Sequence, residues 1–344
     1  MGTPIKLLRR MRKGADSRFI ITTNSTSASY QQTQVIGQTM TWYVTGDITP
    51  IPAPQVGVNP VFNLSANTGV VRIIATTSNL LTRVSRIFIK DTLAVDITEC
   101  PAMDRFEVES GFLTTIDVSK NPVIKRLKVS RNSIASIDLS NTTSLEVLEV
   151  DYNQLTSSFL INLPLLVNLT SLACNSNSIG NIDIGVVPTL TNANISSNGM
   201  FGAFSFPNNS PLTRLNLSTN QSITSLNVSN LVNLDFFDFA WINIGPGNID
   251  LTNNTLMGYL KFNLNFFTEG ITISQMPNIY YLQCNDNGMT TTGTDFMWDQ
   301  LSTIATNANR SGGTFIIKNN RTAASDAAFA NLSGRGWIIT ETVG

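Results

Sequence analysis

One phrase recurs between residues 85 and 290. An apolar residue is followed by a polar one, a second apolar residue, two further positions and then asparagine. Aligned on the first apolar residue, the copies open at Phe106, Leu127, Leu148, Leu172, Ala193, Leu215, Phe237, Leu260 and Leu282, in steps of 21, 21, 24, 21, 22, 22, 23 and 22 residues. A degenerate earlier copy aligns at Ile87. The asparagines are Asn132, Asn153, Asn177, Asn198, Asn220, Asn265 and Asn287. The copy at Phe237 breaks the series, with Ile242 in that place and Asn243 one later. A second short segment follows about ten residues on: V-D-I at 95–97, I-D-V at 116–118, I-D-L at 137–139, I-D-I at 182–184, L-N-V at 226–228, I-D-L at 249–251 and I-T-I at 271–273. Period-two alternation predicts strands. Each copy is therefore expected to hold two short strands, which bury a core only when stacked on neighbouring copies.

The asparagine has a physical reason to recur. Where the chain bends away from the first strand, backbone N–H and C=O groups lose their partners inside the core. A buried amide side chain supplies a donor and an acceptor together. Stacked copies then form an asparagine ladder. This L-x-L/V-x-x-N pattern resembles the leucine-rich repeat family, in its short-unit form. The resemblance implies a mainly β solenoid of about ten turns over 83–290. The I-D-L segments depart from helix-backed repeats and imply a strand-backed convex side and a slim, gently curved body.

The ends differ. Residues 18–82 hold β-like runs (FIITTNSTSA, TMTWYVTGDI, VVRIIATTS) and read as a small β-sandwich-like domain of about five strands. The proline-rich stretch 49–60 within it reads as an exposed connection or arm. Residues 1–17 form a basic tail. Leu7, Leu8 and Met11 fall on one side of an amphipathic turn, and Arg9, Arg10, Arg12 and Lys13 on the other. The tail is open between a solvated end and an anchor onto a neighbouring subunit, an acidic surface or a membrane. Residues 291–344 read as an α/β cap, helix–strand–helix–strand. In its first helix Phe296, Met297, Leu301 and Ile304 share a face, and Thr294 or Asp295 caps it. The ending A-x-x-N-L-x-x-R-G-W-x-I-T resembles those of leucine-rich repeat proteins from Bacteroidetes bacteria and their phages.

Composition narrows the function. Of 344 residues only 13% are charged, with formal net charge −1, against roughly 25% in average domains. Near-neutrality argues against nucleic-acid binding. The chain has no histidine, which removes the commonest general base and transition-metal ligand. Cys100, Cys174 and Cys284 cannot build a disulfide framework and read as small buried hydrophobes. The recurring Asp96, Asp117, Asp138, Asp183 and Asp250 do not converge as a calcium site needs. They are expected to bond backbone or Ser/Thr hydroxyls at turns. No catalytic residue, metal or cofactor is expected.

Outward positions of the first strand form columns on the concave face, with equivalent residues about 4.8 Å apart. One patch stands out: Phe236, Asp238, Trp241, Tyr259, Lys261 and Tyr281. It suits a protein hot spot or the apolar face of a sugar, unless the rings pack on one another and only stiffen the sheet. The other end carries Arg105, Glu107, Arg126, Lys128 and Glu149, which can pair across strands. No secretory signal is visible: the basic start MGTPIKLLRRMRKGADSRF lacks the apolar stretch of about 7–15 residues that one needs. The expected function is a non-enzymatic phage virion component (capsid decoration, spike or tail), attached through its N-terminal region. It would partner other virion subunits and a host surface protein or glycan, as a homo-oligomer within the assembly. The alternative is a bacterial cell-surface or secreted adhesion protein.

Overall fold

A computed structural model describes residues 17–23, 31–35, 40–48, 55–57, 61–62, 67–77, 83–88, 91–208, 210–318 and 320–342. The tail residues Leu7, Leu8, Arg9, Arg10, Met11, Arg12 and Lys13 lie outside them. The chain divides into two compact units, Met1–Leu169 and Thr170–Gly344.

The first unit begins with β1 (Ser17–Thr23), β2 (Gln31–Val35), β3 (Met40–Ile48), β4 (Gln55–Gly57), β5 (Val61–Phe62), β6 (Asn67–Thr77), β7 (Arg83–Phe88) and β8 (Thr92–Glu99). Five of these form an antiparallel sheet in the order β4-β3-β6-β1-β8. Alternation puts Ile21, Trp42, Val44, Val71 and Ile73 inside. Part of the proline-rich stretch is not an arm: Gln55–Gly57 pairs with β3 as an edge strand, and Trp42 Nε1 donates to the Gly57 carbonyl at 2.9 Å.

Two expectations about the first repeat copy fail. Val95-Asp96-Ile97 belongs to β8, antiparallel to β1, with Val95 opposite Ile21. It is a strand of the first sheet and not the second half of a repeat. In the backbone pairing of β7 with β9 (Arg105–Val108), Val84, not Ile87, stands opposite Phe106, and Ile87 meets Val108 across a register shift. The degenerate sequence concealed that irregularity.

From β9 the repeats run in step. In the first unit β10 (Arg126–Lys128) and β11 (Val147–Glu149) continue the parallel ladder, Leu127 pairing with Phe106 on one side and Leu148 on the other. In the second unit the repeat strands are β12 (Ser171–Ala173), β13 (Asn192–Asn194), β15 (Arg214–Asn216), β17 (Phe236–Asp238), β19 (Tyr259–Lys261) and β20 (Tyr281–Gln283), all parallel. Between them in sequence lie β14 (Phe201–Ser205), β16 (Ser222–Asn227) and β18 (Ile249–Asp250) on the other side of the repeat. Both apolar residues of each phrase are buried, as with Leu127/Val129 and Leu260/Phe262.

The turn after each strand is built from two consecutive residues. The first is left-handed: Arg131, Tyr152, Ser176, Ser197, Thr219, Trp241, Leu264 and Asp286 all have φ between 52° and 61°. The second is the asparagine, except for Gly111 in the copy at Phe106 and Ile242 in the copy at Phe237. Asn153 Nδ2 donates to the Val150 carbonyl three residues back and to Val129 one copy earlier, both at 3.0 Å. Its Oδ1 accepts the Ile134 amide at 3.0 Å. Asn132, Asn198, Asn220, Asn265 and Asn287 repeat this double linkage. Asn177 bonds the Cys174 carbonyl at 2.9 Å.

The opposite side of the repeat is less regular than its alternation implied. Only β14, β16 and β18 form a sheet there. Around 116–118, 137–139 and 271–273 no strand forms. Tight turns follow these segments, Asn121 N to Val118 O, Thr142 N to Leu139 O and Met276 N to Ile273 O, at 2.9–3.0 Å, as they also follow β16 and β18. Aspartates help to form such turns, in β18 as well as where no strand forms. Asp117, Asp138 and Asp250 accept the Ser119, Ser140 and Thr252 amides at 2.9–3.0 Å. The Ser119 hydroxyl and amide hold the Asp117 carboxyl below its ordinary pKa, and bonds from Ser140 and Thr252, chiefly their amides, do the same for Asp138 and Asp250. I-D-L alternates because its two apolar residues face the core while the aspartate closes an Asx-turn.

The cap comprises α1 (Thr291–Asn307), β21 (Gly313–Lys318), α2 (Asp326–Gly334) and β22 (Trp337–Thr342). The helix start lies earlier than expected. Thr290 is the N-cap, its hydroxyl accepting the Gly293 amide at 3.0 Å. Thr294 and Asp295 sit inside the helix and are buried. Asp295 instead accepts from the Thr322 amide at 2.9 Å and the Ser325 hydroxyl at 2.7 Å. Met297, Trp298, Leu301 and Ile304 face inward, and Phe296 faces out, because the stripe through Thr294, Met297 and Leu301 turns position 296 to the far side.

Two outcomes follow for urea unfolding. Asn198→Ala takes the Asn198 Oδ1 acceptor from the buried Ile179 amide and one of at least two donors from each of the Cys174, Ile195 and Ser196 carbonyls, and is expected to cost about 1–3 kcal/mol. An unchanged midpoint would show those carbonyls are satisfied without it. Leu264 carries a branched side chain in the left-handed region, φ 59°, where a non-glycine residue is strained by about 1 kcal/mol. Its side chain is largely exposed, so Leu264→Asn is expected to raise stability by up to about 1 kcal/mol.

Candidate functional site

On the sheet face of the first unit, opposite charges meet within and between strands. Glu107 accepts from Arg105 at 2.7 Å and from Arg126 at 2.8 Å. Glu149 is reached by Arg126 at 2.5 Å and by Lys128 at 2.9 Å, and Lys128 also meets Glu109 at 2.7 Å. Arg105 and Arg126 stand side by side in register, and the shared Glu107 offsets their repulsion. Each of these six charges is engaged with at least one opposite charge, which is the pairing the column pattern allowed.

The second unit is different. Its first strands present Ser171, Ala173, Asn192, Asn194 and Asn216, small and uncharged. Then an aromatic column begins. The Arg214 guanidinium lies 4.1 Å from the Phe236 ring centroid. Phe236 stacks on Tyr259 at 4.2 Å and 14°, and Tyr259 on Tyr281 at 4.2 Å and 7°. Parallel repeat strands place equivalent side chains at nearly the stacking distance, so the register of the repeat builds the column. Tyr281 Oη donates to Gln283 at 2.9 Å.

The adjacent column holds Asp238 and Lys261, in register beside one another. Lys261 Nζ lies 3.6 Å from Asp238, and the Ala240 amide donates to the carboxylate at 3.1 Å. Asp238 is only 7% exposed. Burial raises its pKa, outweighing the Ala240 amide and Lys261. Burial raises the Tyr259 hydroxyl likewise, aided by Tyr281 and Asp238.

The structure thus groups Phe236, Asp238, Tyr259, Lys261 and Tyr281 on one surface. It assigns Trp241 elsewhere: this residue occupies the left-handed turn position of its copy, 46% exposed, in the column of Thr219 and Leu264 at the rim of the sheet. Arg214, left out of the expected patch, caps it. The ring faces inside the stack are occupied by other rings, which leaves edges and one end face for a ligand. That favours the side chains of a protein over a sugar laid flat on an aromatic ring. Among the described residues, no group of three or more acidic or cysteine side chains is placed to hold a metal, and no helix is long and apolar enough to cross a membrane. The three cysteines are buried, and none of them forms a disulfide.

The fold is that of a leucine-rich repeat. No protein-family model matches the chain, and no curated protein matches it. Among solved structures it is similar to the functional domain of InlJ from Listeria monocytogenes, 22% identical over 70% of this chain and 63% of that one, with a TM-score of 0.45. It is also similar to an internalin, InlF, from the same species, 15% identical over 76% of this chain and 87% of that one, TM-score 0.48. A leucine-rich repeat protein of Leptospira interrogans is 15% identical over 63% of this chain and 70% of that one, TM-score 0.44. The chain spans less than two thirds of the InlJ domain.

Asp238 gives a pH-dependent outcome. A carboxyl whose pKa is raised by folding opposes folding once ionised, and the opposition fades as pH falls through the folded pKa. Asp238→Asn is therefore expected to be more stable than the parent at pH 7, with the gain shrinking in acid. Urea titrations across the acidic range read this directly. A variant less stable at pH 7 would show that the Lys261 pair outweighs burial.

Proposed function

We propose that this protein is a non-enzymatic recognition component that binds a protein partner through the sheet face of its second unit. The observation that carries this reading is the Arg214–Phe236–Tyr259–Tyr281 column beside Asp238 and Lys261. Its side chains are already ordered by stacking, so a partner would meet them at little cost in side-chain entropy. The uncharged rows before it carry amides and hydroxyls that can bond a partner without the cost of burying a charge. We further propose the phage particle as its setting, with a host surface protein or another virion subunit as the partner. The low charge and the resemblance of the cap support that setting. A bacterial surface adhesion protein would use the same face, and the setting separates the two.

Quantitative mass spectrometry of purified phage particles and of proteins shaved from host cells tests the setting. Stoichiometric copies in particles are expected; presence on cells alone would move the protein to the adhesin reading. A photo-crosslinking residue at Ser218 or Gln283, flanking the column, tests the face. It is expected to capture a protein, and Tyr259→Ala is expected to reduce that capture roughly tenfold or more. Capture unaffected by Tyr259→Ala would remove the column from the reading.

A further inference from the structure

The parallel ladder of the second unit ends on β22, which pairs with β21 and, among the described residues, with nothing beyond it. The direction of its backbone groups follows from the register. Thr314 N donates to Tyr280 O at 2.8 Å, so Thr314 and Ile316 face β20 while Phe315 and Ile317 face β22. With Thr314 opposite Ile338 and Phe315 opposite Ile339, Ile338 and Thr340 turn their N–H and C=O toward β21. Trp337, Ile339 and Glu341 turn theirs outward.

Edge strands are normally guarded by lysine, proline, a bulge or a covering element. β22 reads W-I-I-T-E-T and carries none of the first three: its pairing with β21 runs six residues without a register shift. Ile338 is 67% exposed beside that edge. The strand's one ionisable side chain, Glu341, lies 3.2 Å from Arg321 of the same chain, so its charge does not defend the edge.

We propose that β22 is a self-association edge, pairing antiparallel with β22 of a second copy of this chain about a twofold axis at Ile339. The charge pattern of the strand selects this occupant. In that register Ile339 meets Ile339, Ile338 meets Thr340, and Glu341 meets Trp337 rather than another glutamate. No like charges oppose each other, and the outward N–H and C=O groups of both copies pair at once. A six-residue strand pair buries less than the roughly 1,600 Å² of a standard interface, so the dimer is concentration-dependent.

Sedimentation equilibrium of the full chain, from low to several hundred micromolar, tests the proposal. The parent is expected to move from monomer to dimer across that range. Ile338→Lys alters an exposed side chain, so circular dichroism should be unchanged while dimer dissociation rises roughly tenfold or more. Ile339→Pro removes the outward N–H at the axis without removing a bond to β21, and is expected to abolish the dimer. A parent that stays monomeric throughout overturns the proposal, as does a dimer that Ile338→Lys leaves unchanged.

Discussion

Everything in the repeat depends on turning the chain sharply, inside the core, straight after a strand of three residues. The left-handed residue makes the turn, and the asparagine beside it supplies partners for the backbone groups that the turn strands. Its Nδ2 holds carbonyls of two successive copies and its Oδ1 takes an amide from the copy before, so a single side chain fixes both the bend and the spacing. The copy at Phe237 shows how far this linkage can be stretched. Ile242 replaces the asparagine and is buried. From the next copy Asn265 takes over, its Oδ1 accepting the Ile242 and Ile244 amides at 3.2 Å and its Nδ2 donating to Phe239 O at 2.9 Å. One gap is tolerated because the neighbour already reaches across.

That constraint acts on one side only, which explains why the two sides of the repeat look so different. Sheet positions are held by backbone pairing and the amide ladder, so strand length hardly varies. Differences in copy length must appear on the loop side. The longest step, 24 residues from Leu148 to Leu172, is absorbed by the 3₁₀ stretch Ser157–Leu165. Buried polar side chains partly support this side too. Asn121 donates to the Ile97 and Cys100 carbonyls, and Asn254 to Val228 and Leu231, but these residues do not recur at a fixed spacing.

The repeat was legible because its period is written in residues that do one job each: apolar pairs for the core, asparagine for the turn. The same logic explains what was misread. I-D-L alternates like a strand, yet its aspartate closes a turn onto the amide two residues on, and hydropathy does not distinguish those uses. Thr290 and Thr294 are equally good caps by type, and only the packing of Asp295 against Thr322 and Ser325 decides between them. Trp241 looked like part of the aromatic patch because it is close in sequence. Once its φ of 56° puts it in the turn column, its side chain leaves the sheet face. The left-handed column itself had no compositional signal, since Arg, Tyr, Ser, Thr, Trp, Leu and Asp all occupy it.

Each unit's sheet face is built by the same register, yet the two faces differ in what they leave for a partner. In the first unit adjacent charges satisfy one another, so docking a protein there would strip water from ion pairs already made, at a cost that new contacts must first recover. In the second unit the register stacks rings instead. Stacking consumes the ring faces but leaves rigid edges exposed to solvent, beside a buried carboxylate and a lysine 3.6 Å apart. Removing water from ring edges is favourable, and a lysine not held tightly by its neighbour can turn to an incoming acceptor. Which side chains share a column therefore decides what each face leaves for a partner, and on that ground the aromatic column, not the ionic one, is the face we propose to be covered.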